Sequence, residues 1–247
     1  MTQPLAGQTV LITGGARRLG AAMARALHAV GANIVIHHLT SAQAAATLIA
    51  ALNQARAASA MLVQADLLEV AQLPGLVDAA VQRFGHLDIL INNASTFYPT
   101  PIGEISLDQF ENLIGTNFRA PLFLAQAAAA QLRRRRGLIL NMDDIHGMKP
   151  LKNYPAYSSA KAALIMLTKA LARELAPEVR VNGIAPGPVL FPADVDAAMQ
   201  AQIIDKTLLR RAGEPQDIGQ AAVYFATMAP YVTGQILAVD GGRSQSG

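Results

Sequence analysis

The feature of this 247-residue chain that most constrains its fold is a regular alternation of short apolar runs with longer segments of helical periodicity. Continuous apolar strands that are separated by helices are typical of a parallel sheet covered on both faces. We therefore predict one α/β domain over residues 1–247, built as a doubly wound, seven-stranded parallel sheet with helices on both faces. The predicted strands are Thr9–Thr13, Asn33–His38, Ala60–Gln64, Ile89–Asn92, Leu138–Met142, Val179–Ile184 and Ile236–Val239.

Helical periodicity fills most of the chain between these strands. The least regular segment covers about residues 186–199 and contains Pro186, Pro188 and Pro192. A long stretch without regular structure is typical of a functional loop, so we expect a substrate loop there. The predicted helices are Leu19–Val30, Ser41–Ala57, Glu69–Phe84, Leu107–Arg134 and Pro155–Ala176.

Composition excludes several classes of protein. Hydrophobic residues make up 52% of the chain and charged residues 15%, which argues against disorder. The chain has no Cys, which excludes disulfides and thiolate metal sites, and we expect no bound metal. No apolar run reaches membrane-spanning length and we find no signal peptide, so we expect a cytoplasmic protein without a membrane partner.

Charge is unevenly placed along the chain. The net charge is only +3, but no Asp or Glu occurs before Asp66, whereas Arg17, Arg18 and Arg25 do. An acid-free, basic first quarter suits an anionic ligand. It does not suit nucleic acid, because the sequence has no basic stripe with interleaved aromatic residues.

A glycine-rich turn follows the first strand and opens the first helix. It reads Thr-Gly-Gly-Ala-Arg-Arg-Leu-Gly over residues 13–20. Glycines at a strand-to-helix turn allow backbone amides to approach a pyrophosphate at the helix N-terminus. In this context the turn indicates a single-domain Rossmann fold that binds a dinucleotide. The residues placed at the cofactor are Gly14, Arg17, Arg18, Leu19 and Gly20.

The end of the second strand indicates which dinucleotide is bound. Enzymes that use NAD place an Asp or Glu here, which accepts a hydrogen bond from the ribose 2′-hydroxyl. This chain has His-His-Leu-Thr-Ser at positions 37–41 and no acid. The missing carboxylate removes repulsion against a 2′-phosphate, which Arg17, His37 and Ser41 could contact. We therefore predict NADPH/NADP+ as the cofactor.

Tyr157 and Lys161 form the clearest catalytic pattern. Their i, i+4 spacing on a predicted helix puts both side chains on one face, one turn apart. A free phenol titrates near ~10, and a nearby ammonium favours the phenolate, so the pKa of Tyr157 should move toward the working pH. The same spacing also arises by chance on amphipathic helices, and it gains weight here from the glycine-rich turn upstream.

The glycine-rich turn, together with Tyr157 and Lys161, resembles the short-chain dehydrogenase/reductase family over essentially the whole chain. The resemblance implies that Lys161 binds the nicotinamide ribose and tunes Tyr157, and that Asn117 supports the site. Asp66 matches a residue that contacts adenine in the family, but it could equally cap a helix. The further cofactor contacts that the resemblance implies are Leu67, Asn93, Ala94, Ser95, Pro186 and Gly187.

Three departures from the usual family pattern resemble the pteridine reductases within it. Arg18 stands where the turn usually has its middle glycine, Ser95 where a glycine usually follows Asn-Asn-Ala, and Asp144 where a Ser is usual. The stretch over residues 95–101, which contains Phe97, is also distinctive of that subgroup. Arg18 could instead point to solvent as a neutral variant.

The subgroup resemblance implies that Tyr157 donates a proton, with Asp144 coupled to it, and that Arg18 and Ser95 bridge the cofactor phosphate and the pterin. A carboxylate at position 144 suits a substrate with NH donors and ring nitrogens. It suits a plain carbonyl poorly, because an anion repels the developing alkoxide. We expect the neighbouring Asp143 to be exposed.

Two further residues are expected at the substrate. Phe97 can stack on one face of the flat pterin ring, although it could instead anchor a loop. Leu190 is expected to line the pocket.

The expected function is NADPH-dependent reduction of a 7,8-dihydropterin, with dihydrobiopterin, dihydromonapterin and dihydrofolate as alternatives, by a homotetramer. Thr40 departs from the parasite-type enzymes, which have an Arg there, and this bears on affinity for the 2′-phosphate. One rival is a carbonyl reductase of the same fold that acts on a 3-oxoacyl or sugar substrate. Another is a non-catalytic NADPH-binding regulatory protein.

Overall fold

The protein, as a computed structural model, is described over residues 3–191 and 195–246. Seven strands of these residues form one parallel sheet in the order β3-β2-β1-β4-β5-β6-β7. The strands are β1 (Thr9–Ile12), β2 (Asn33–His38), β3 (Ala60–Gln64), β4 (Ile89–Asn92), β5 (Leu138–Met142), β6 (Arg180–Pro186) and β7 (Ile236–Val239). The predicted doubly wound α/β domain is confirmed.

Helices cover both faces of the sheet. On one face the apolar core includes Met23, Leu48 and Phe225, and on the other it includes Leu76 and Leu124, all of them buried. The α-helices of the described residues are α1 (Arg18–Ala29), α2 (Ala42–Ala55), α3 (Leu73–Phe84), α4 (Leu107–Ile114), α5 (Ala120–Arg135), α6 (Pro155–Glu174), α7 (Ala197–Asp205) and α8 (Pro215–Thr227). Helices α1, α2 and α8 cover the first face, and α3, α5 and α6 contribute to the second.

The strand order places a crevice at the carboxyl edge of the sheet. The chain moves outward from β1 to β3 and then returns, so that β4 pairs with the other side of β1. The connections that leave β1 and β4 therefore part in opposite directions. In open α/β sheets such a reversal is where ligands bind.

The long helix predicted over residues 107–134 is interrupted. Helix α4 begins with a capping box, in which Ser106 and Gln109 satisfy each other's backbone amides. A π-helical segment, Gly115–Arg119, then joins α4 to α5. π-helical insertions of this kind are frequent at functional sites.

The apolar periodicity of the sequence did not predict two of the helices. Helix α7 begins inside the stretch predicted as a loop, and residues 192–194 of that stretch lie outside the described residues. Helix α8 begins with Pro215 and packs its buried face, including Ile218 and Phe225, against α1. Within the described residues, no helix combines the length and apolarity required to cross a bilayer.

Candidate active site

A cavity of about 440 Å³ lies at the carboxyl edge, between the connections that leave β1 and β4. The structure brings most of the predicted cofactor residues together around it. Its lining includes Gly14, Arg17, Arg18, Leu19, Gly20, His37, Ser41, Asp66, Leu67, Asn93, Ala94 and Ser95.

The glycine-rich turn has the geometry of an anion cradle. Gly14 has φ +58°, and a Cβ there would lie 2.9 Å from Cα of Ala94, so a larger residue would meet both backbone strain and a clash. Helix α1 has no side-chain cap at Arg17. Its first backbone amides therefore remain available to a phosphate, and the positive end of the helix dipole favours one.

Thr13 and Asn93 hold the turn in place. The Thr13 hydroxyl accepts hydrogen bonds from the backbone amides of Asn93 (2.9 Å) and Ala94 (3.0 Å). The Asn93 side-chain amide donates in return to the carbonyls of Thr13 (2.8 Å) and Gly14 (3.0 Å). The predicted cofactor residue Asn93 thus shapes the turn, together with Thr13, which the sequence analysis did not single out.

Arg18 connects this turn to the segment after β6. It has a left-handed backbone (φ +51°), a conformation that favours glycine. Its Nη2 donates to the Leu190 carbonyl at 2.9 Å, and the guanidinium is exposed above the turn. Arg18 and Leu190, which were predicted separately, are therefore in direct contact.

His37 has a different environment from the one predicted. It is buried, its Nδ1 accepts from the Gly14 amide at 3.1 Å, and its Nε2 contacts the Ala65 carbonyl at 3.1 Å. Burial lowers the pKa of His37, which keeps the ring neutral. Both ring nitrogens are occupied, so His37 braces the turn and has no free nitrogen for a ribose phosphate. The correction follows from the register of β2, which points this side chain inward.

The rim where the adenine end of a dinucleotide would lie is polar and open. Thr40 is exposed and Ser41 half-buried beside the cavity, and the Ser41 side chain does not cap α2. Asp66 Oδ1 accepts from the Leu68 amide at 2.9 Å, so this carboxylate closes a turn while it lines the cavity. Asp66 does not cap a helix, because the cap positions of the helical segments that follow it are Glu69 and Gln72.

Tyr157 and Asp144 form the centre of the second part of the site. The Tyr157 hydroxyl donates to Asp144 Oδ2 at 2.7 Å. Asp144 Oδ1 accepts from the His146 amide at 2.8 Å, which fixes the carboxylate at the end of β5. Lys161, one turn further along α6, is buried and donates from Nζ to the Met142 carbonyl at 2.8 Å.

The pKa of Tyr157 moves in the direction opposite to our prediction. Burial and the negative charge of Asp144, with the hydrogen bond to that carboxylate, raise the pKa of Tyr157 well above its usual value, while Ser95 opposes the shift. Lys161 Nζ lies 5.7 Å from the centre of the Tyr157 ring. Burial and the anion at position 144 therefore decide the direction of the shift, and Tyr157 is held as a neutral phenol that can donate a proton.

Asn117 lies in the π-helical segment and organises the loop after β4. Its Nδ2 donates to the carbonyls of Thr96 (3.0 Å) and Leu113 (3.0 Å), and its Oδ1 accepts from the Ser95 hydroxyl at 2.6 Å. Asn117 therefore positions Ser95, which itself acts on Tyr157.

An aromatic cluster borders the Tyr157 hydroxyl. Phe97 stacks on Tyr154 with ring centres 4.6 Å apart, and meets Tyr157 edge-on at 4.8 Å. Phe97 remains 43% exposed, which leaves ring surface open above the site. The sequence analysis missed Tyr154. Its position three residues before Tyr157 was the signal that could have placed it at the site.

Asp143 is not the exposed neighbour that we predicted. It is 3% exposed, and its backbone amide donates to the Ile184 carbonyl at 2.8 Å, so the pairing of β5 with β6 continues one residue further. This pairing places the Asp143 carboxylate against Gly183 of β6. Burial raises the pKa of Asp143 to about 7, although Lys161 acts in the opposite direction.

Pro186 and Gly187 lie at the end of β6, outside the lining of the cavity described above. The Gly187 amide donates to the Val239 carbonyl at 3.1 Å. A Cβ at Gly187 would lie 2.5 Å from Cβ of Asp240, so close approach to β7 requires the glycine. The chain then continues to Leu190 and its contact with Arg18.

Comparisons with known proteins agree with this architecture. A family model described as enoyl-(acyl carrier protein) reductase matches residues 14–244. Pteridine reductase 1 of Leishmania tarentolae is 36% identical over an alignment of 285 residues that covers 99% of each chain. 3β-Hydroxysteroid dehydrogenase 1 of Eggerthella lenta is 35% identical, with 99% of this chain and 96% of that protein covered. An uncharacterised oxidoreductase of Methylorubrum extorquens is 34% identical over 96% of this chain and 98% of its own length.

Proposed function

Because this chain belongs to the short-chain dehydrogenase/reductase family, we propose that it is an NADPH-dependent pteridine reductase. Its substrate would be a 7,8-dihydropterin, which is reduced to the tetrahydropterin. The observation that carries the proposal is the 2.7 Å hydrogen bond from the Tyr157 hydroxyl to Asp144. It places a carboxylate directly behind the proton donor.

The residues around the cavity fit a nicotinamide dinucleotide. The Gly14 turn and the uncapped start of α1 would hold the pyrophosphate, and the buried ammonium of Lys161 would hold the nicotinamide ribose. The bound cofactor supplies a hydride to a carbon of the substrate. Arg17 is exposed beside the rim and Ser41 is half-buried there, and no acid occurs at the end of β2, which favours NADPH over NADH.

Tyr157 supplies the proton. The ring nitrogen of the C=N bond takes the Tyr157 hydroxyl proton, which leaves its hydrogen bond to Asp144 as the N–H bond forms. The hydride then reaches the C=N carbon of the protonated ring, so no negative charge builds up on nitrogen. The raised pKa keeps the phenol protonated before the reaction. Asp144 orients the hydroxyl through its hydrogen bond, and the His146 amide in turn fixes Asp144.

The carboxylate discriminates between substrate classes. A pterin presents ring nitrogens and an amino group along one edge, and an anion can accept from those N–H donors. A carbonyl substrate develops negative charge on oxygen beside position 144, where Asp144 would repel it. The anion at this position therefore supports a C=N substrate over a ketone.

Phe97, Arg18, Ser95 and Leu190 would form the rest of the substrate site. The exposed surface of Phe97 offers a face for a flat ring. Arg18 and Ser95 border the cofactor cavity and reach toward the reacting centre. We propose residues 186–199 as the substrate loop, because Leu190 in this segment contacts Arg18.

The proposal is tested by measuring NADPH and NADH oxidation with dihydrobiopterin, dihydromonapterin, dihydrofolate and an acetoacetyl thioester. We expect turnover of a pterin with NADPH preferred. A 3β-hydroxysteroid belongs in the same panel, because one relative is named for that activity. Turnover of the thioester or steroid alone would assign the chain to carbonyl reduction and refute the proposal.

Asp144→Ser tests the role of the carboxylate. We expect pterin turnover to fall by about 100-fold, the size of a general acid contribution that has lost its partner. Asp78→Ser, at an exposed position of α3, is the matched control and should leave turnover unchanged. Undiminished pterin reduction in Asp144→Ser would refute this account of Asp144. Tight NADPH binding without turnover of any substrate would instead favour a regulatory protein.

We also propose that the protein is a cytoplasmic homotetramer. Large apolar side chains are exposed on α4 and α6, at Leu107, Phe110 and Met166, and a subunit interface would cover them. Light scattering coupled to size-exclusion chromatography would measure the mass. A monomer at micromolar concentration would refute the assembly and leave the catalytic proposal standing.

A further inference from the structure

Asp143 is a buried carboxylate with no role in the mechanism so far. It is 3% exposed, and neither carboxylate oxygen has a hydrogen-bond partner among the described residues. A buried acceptor without a partner is unfavourable, and more so when it is charged. The fold retains this unfavourable group next to Asp144 in the chain, where the charges of Lys161 and Asp144 act on it.

The space for Asp143 is provided by Gly183 on β6. Any Cβ at position 183 would overlap Oδ2 of Asp143, so the carboxylate occupies the place where another side chain would be. The pairing of the Asp143 amide with the Ile184 carbonyl fixes this orientation. Asp143 and Gly183 therefore fit each other sterically, although no group of residues 3–191 and 195–246 forms a hydrogen bond to the carboxylate.

Asp143 is adjacent to the anchor of Lys161. Lys161 Nζ donates to the carbonyl of Met142, which is bonded to the Asp143 nitrogen. The charged groups that act on Asp143 are Lys161 from α6 and Asp144 from the end of its own strand. Gly183 and Ile236, which β6 and β7 contribute around the same space, carry no charge.

We propose that Asp143 is a positioning residue of this site, which holds a proton in the active enzyme and makes Tyr157 a weaker proton donor when it ionises. With Asp143 neutral, the charges of Asp144 and Lys161 balance. With Asp143 ionised, the positive charge of Lys161 is shared between two anions. Lys161 Nζ lies 5.7 Å from the centre of the Tyr157 ring, and it then compensates less of the negative charge that develops on Tyr157 as its proton leaves. No bond to substrate or cofactor forms at Asp143.

The burial of Asp143 supports this assignment. Burial and the charge of Asp144 raise the pKa of Asp143 to about 7 against the effect of Lys161, so its ionisation falls within the working range of pH. The charges of Asp143 and Lys161 therefore influence each other, and the acid strength of Tyr157 follows their joint charge. Activity should therefore decline as the pH rises through about 7.

The test is the pH dependence of kcat/KM for the wild type and for Asp143→Asn, a neutral residue of nearly the same shape. This test rests on the proposed function, because it needs a substrate that is turned over. We expect the wild type to lose activity above pH 7, and Asp143→Asn to retain about tenfold more at pH 9, which equals one unit in the pKa of Tyr157. Superimposable profiles of the two enzymes would overturn the proposal.

Two further variants separate this electrostatic role from a structural one. Asp88→Asn neutralises another buried carboxylate, at the opposite edge of the sheet, and should leave the shape of the pH profile unchanged. Asp143→Ser is smaller and gives a second variant if Asp143→Asn folds poorly. Loss of activity by the same factor at every pH in both Asp143 variants would show a structural role only.

A spectroscopic measurement keeps the inference testable if no pterin is reduced. Carboxyl ¹³C NMR of the protein labelled at Asp should show a resonance that titrates near pH 7 and is absent from Asp143→Asn. Its presence without pterin turnover would refute the proposed function and support the proton on Asp143. Its absence would overturn the present inference whatever the substrate.

Discussion

Two buried aspartates lie at opposite edges of the same sheet and differ in almost every partner. Asp88, at the amino edge before β4, is 4% exposed, and Asp143, at the carboxyl edge after β5, is 3% exposed. Asp88 accepts from the Thr9 amide at 2.8 Å and from Arg135 Nε at 2.7 Å, and His86 lies 3.2 Å away. Asp143 has no hydrogen-bond partner among the described residues.

The difference shows how the fold divides its tasks. At the amino edge the charge of Asp88 is compensated by Arg135, and Asp88 ties β1, β4 and α5 together. At the carboxyl edge the buried Asp143 and Lys161 lie beside the half-buried Asp144, and Asp143 has no hydrogen-bond partner among the described residues. Incomplete compensation lets Asp143 change its protonation, which is a property of sites rather than of scaffolds.

The largest effect that would sharpen this contrast is expected from Tyr157→Phe. Turnover should fall roughly 10²–10⁴-fold, the usual contribution of a positioned acid, because the proton donor is lost. NADPH affinity, measured by fluorescence titration, should stay close to that of the wild type. Tyr224→Phe on α8 is the control, and near-normal turnover of Tyr157→Phe would mean that another group supplies the proton.

Asp88→Ala should affect stability and leave chemistry unchanged. It leaves the Thr9 amide and the Arg135 guanidinium without their acceptor, at an expected cost of about 3 kcal/mol in the free energy of unfolding. Urea denaturation measures that loss, and kcat at 25 °C should be unchanged. A large fall in kcat with little loss of stability would break the proposed division between the two edges.

Asp143→Asn should do the opposite and stabilise the protein at alkaline pH. The pKa of Asp143 is raised from 3.8 to about 7 in the folded state, so the unfolded chain releases this proton first as the pH rises. The resulting penalty is absent below pH 3.8, grows up to about pH 7 and is complete above it. Replacing this carboxylate with the neutral side chain of asparagine removes the penalty.

Urea denaturation at pH 4.5 and pH 8 isolates the electrostatic part of that effect. The gain of Asp143→Asn over the wild type should be larger at pH 8 by on the order of 2 kcal/mol. An equal gain at both values of pH would mean that the carboxylate is not protonated in the folded protein.

The smallest effect is expected at the rim of the cofactor cavity. Thr40→Arg adds an exposed cation where a 2′-phosphate would lie, and should tighten NADPH binding by up to about tenfold. Affinity for NADH, which lacks that phosphate, should not change. Equal tightening of both cofactors would indicate a nonspecific charge effect and would count against the assigned position of the phosphate.

The extent to which the site could be predicted depended on the distance along the chain between the interacting residues. The glycine-rich turn and the Tyr157–Lys161 pair are local patterns, and the structure brings them to one edge of the sheet. The contact of Arg18 with Leu190 spans 172 positions of sequence, and the contact of His37 with Gly14 joins β2 to the turn after β1. Neither could be inferred from spacing, since both depend on how strands pair.

Asp143 and Asp144 show the same limit more sharply. They are identical neighbours in the sequence, and we expected the first to be exposed and the second to be functional. One further hydrogen bond between β5 and β6 buries Asp143, while Asp144 turns toward Tyr157. Their local sequence cannot distinguish them, because the burial of each comes from residues of β6, β7 and α6.

By itself the sequence determined the α/β class, the parallel strands and the residues of the glycine-rich turn. These follow from local periodicity and from the conformational freedom of glycine, which need no knowledge of distant contacts. The tertiary structure decided the charge state of the site: it buried His37 as a neutral brace, raised the pKa of Tyr157 and left Asp143 without a hydrogen-bond partner among the described residues. Solvation and charge depend on what surrounds a group in space, and only the folded chain sets those surroundings.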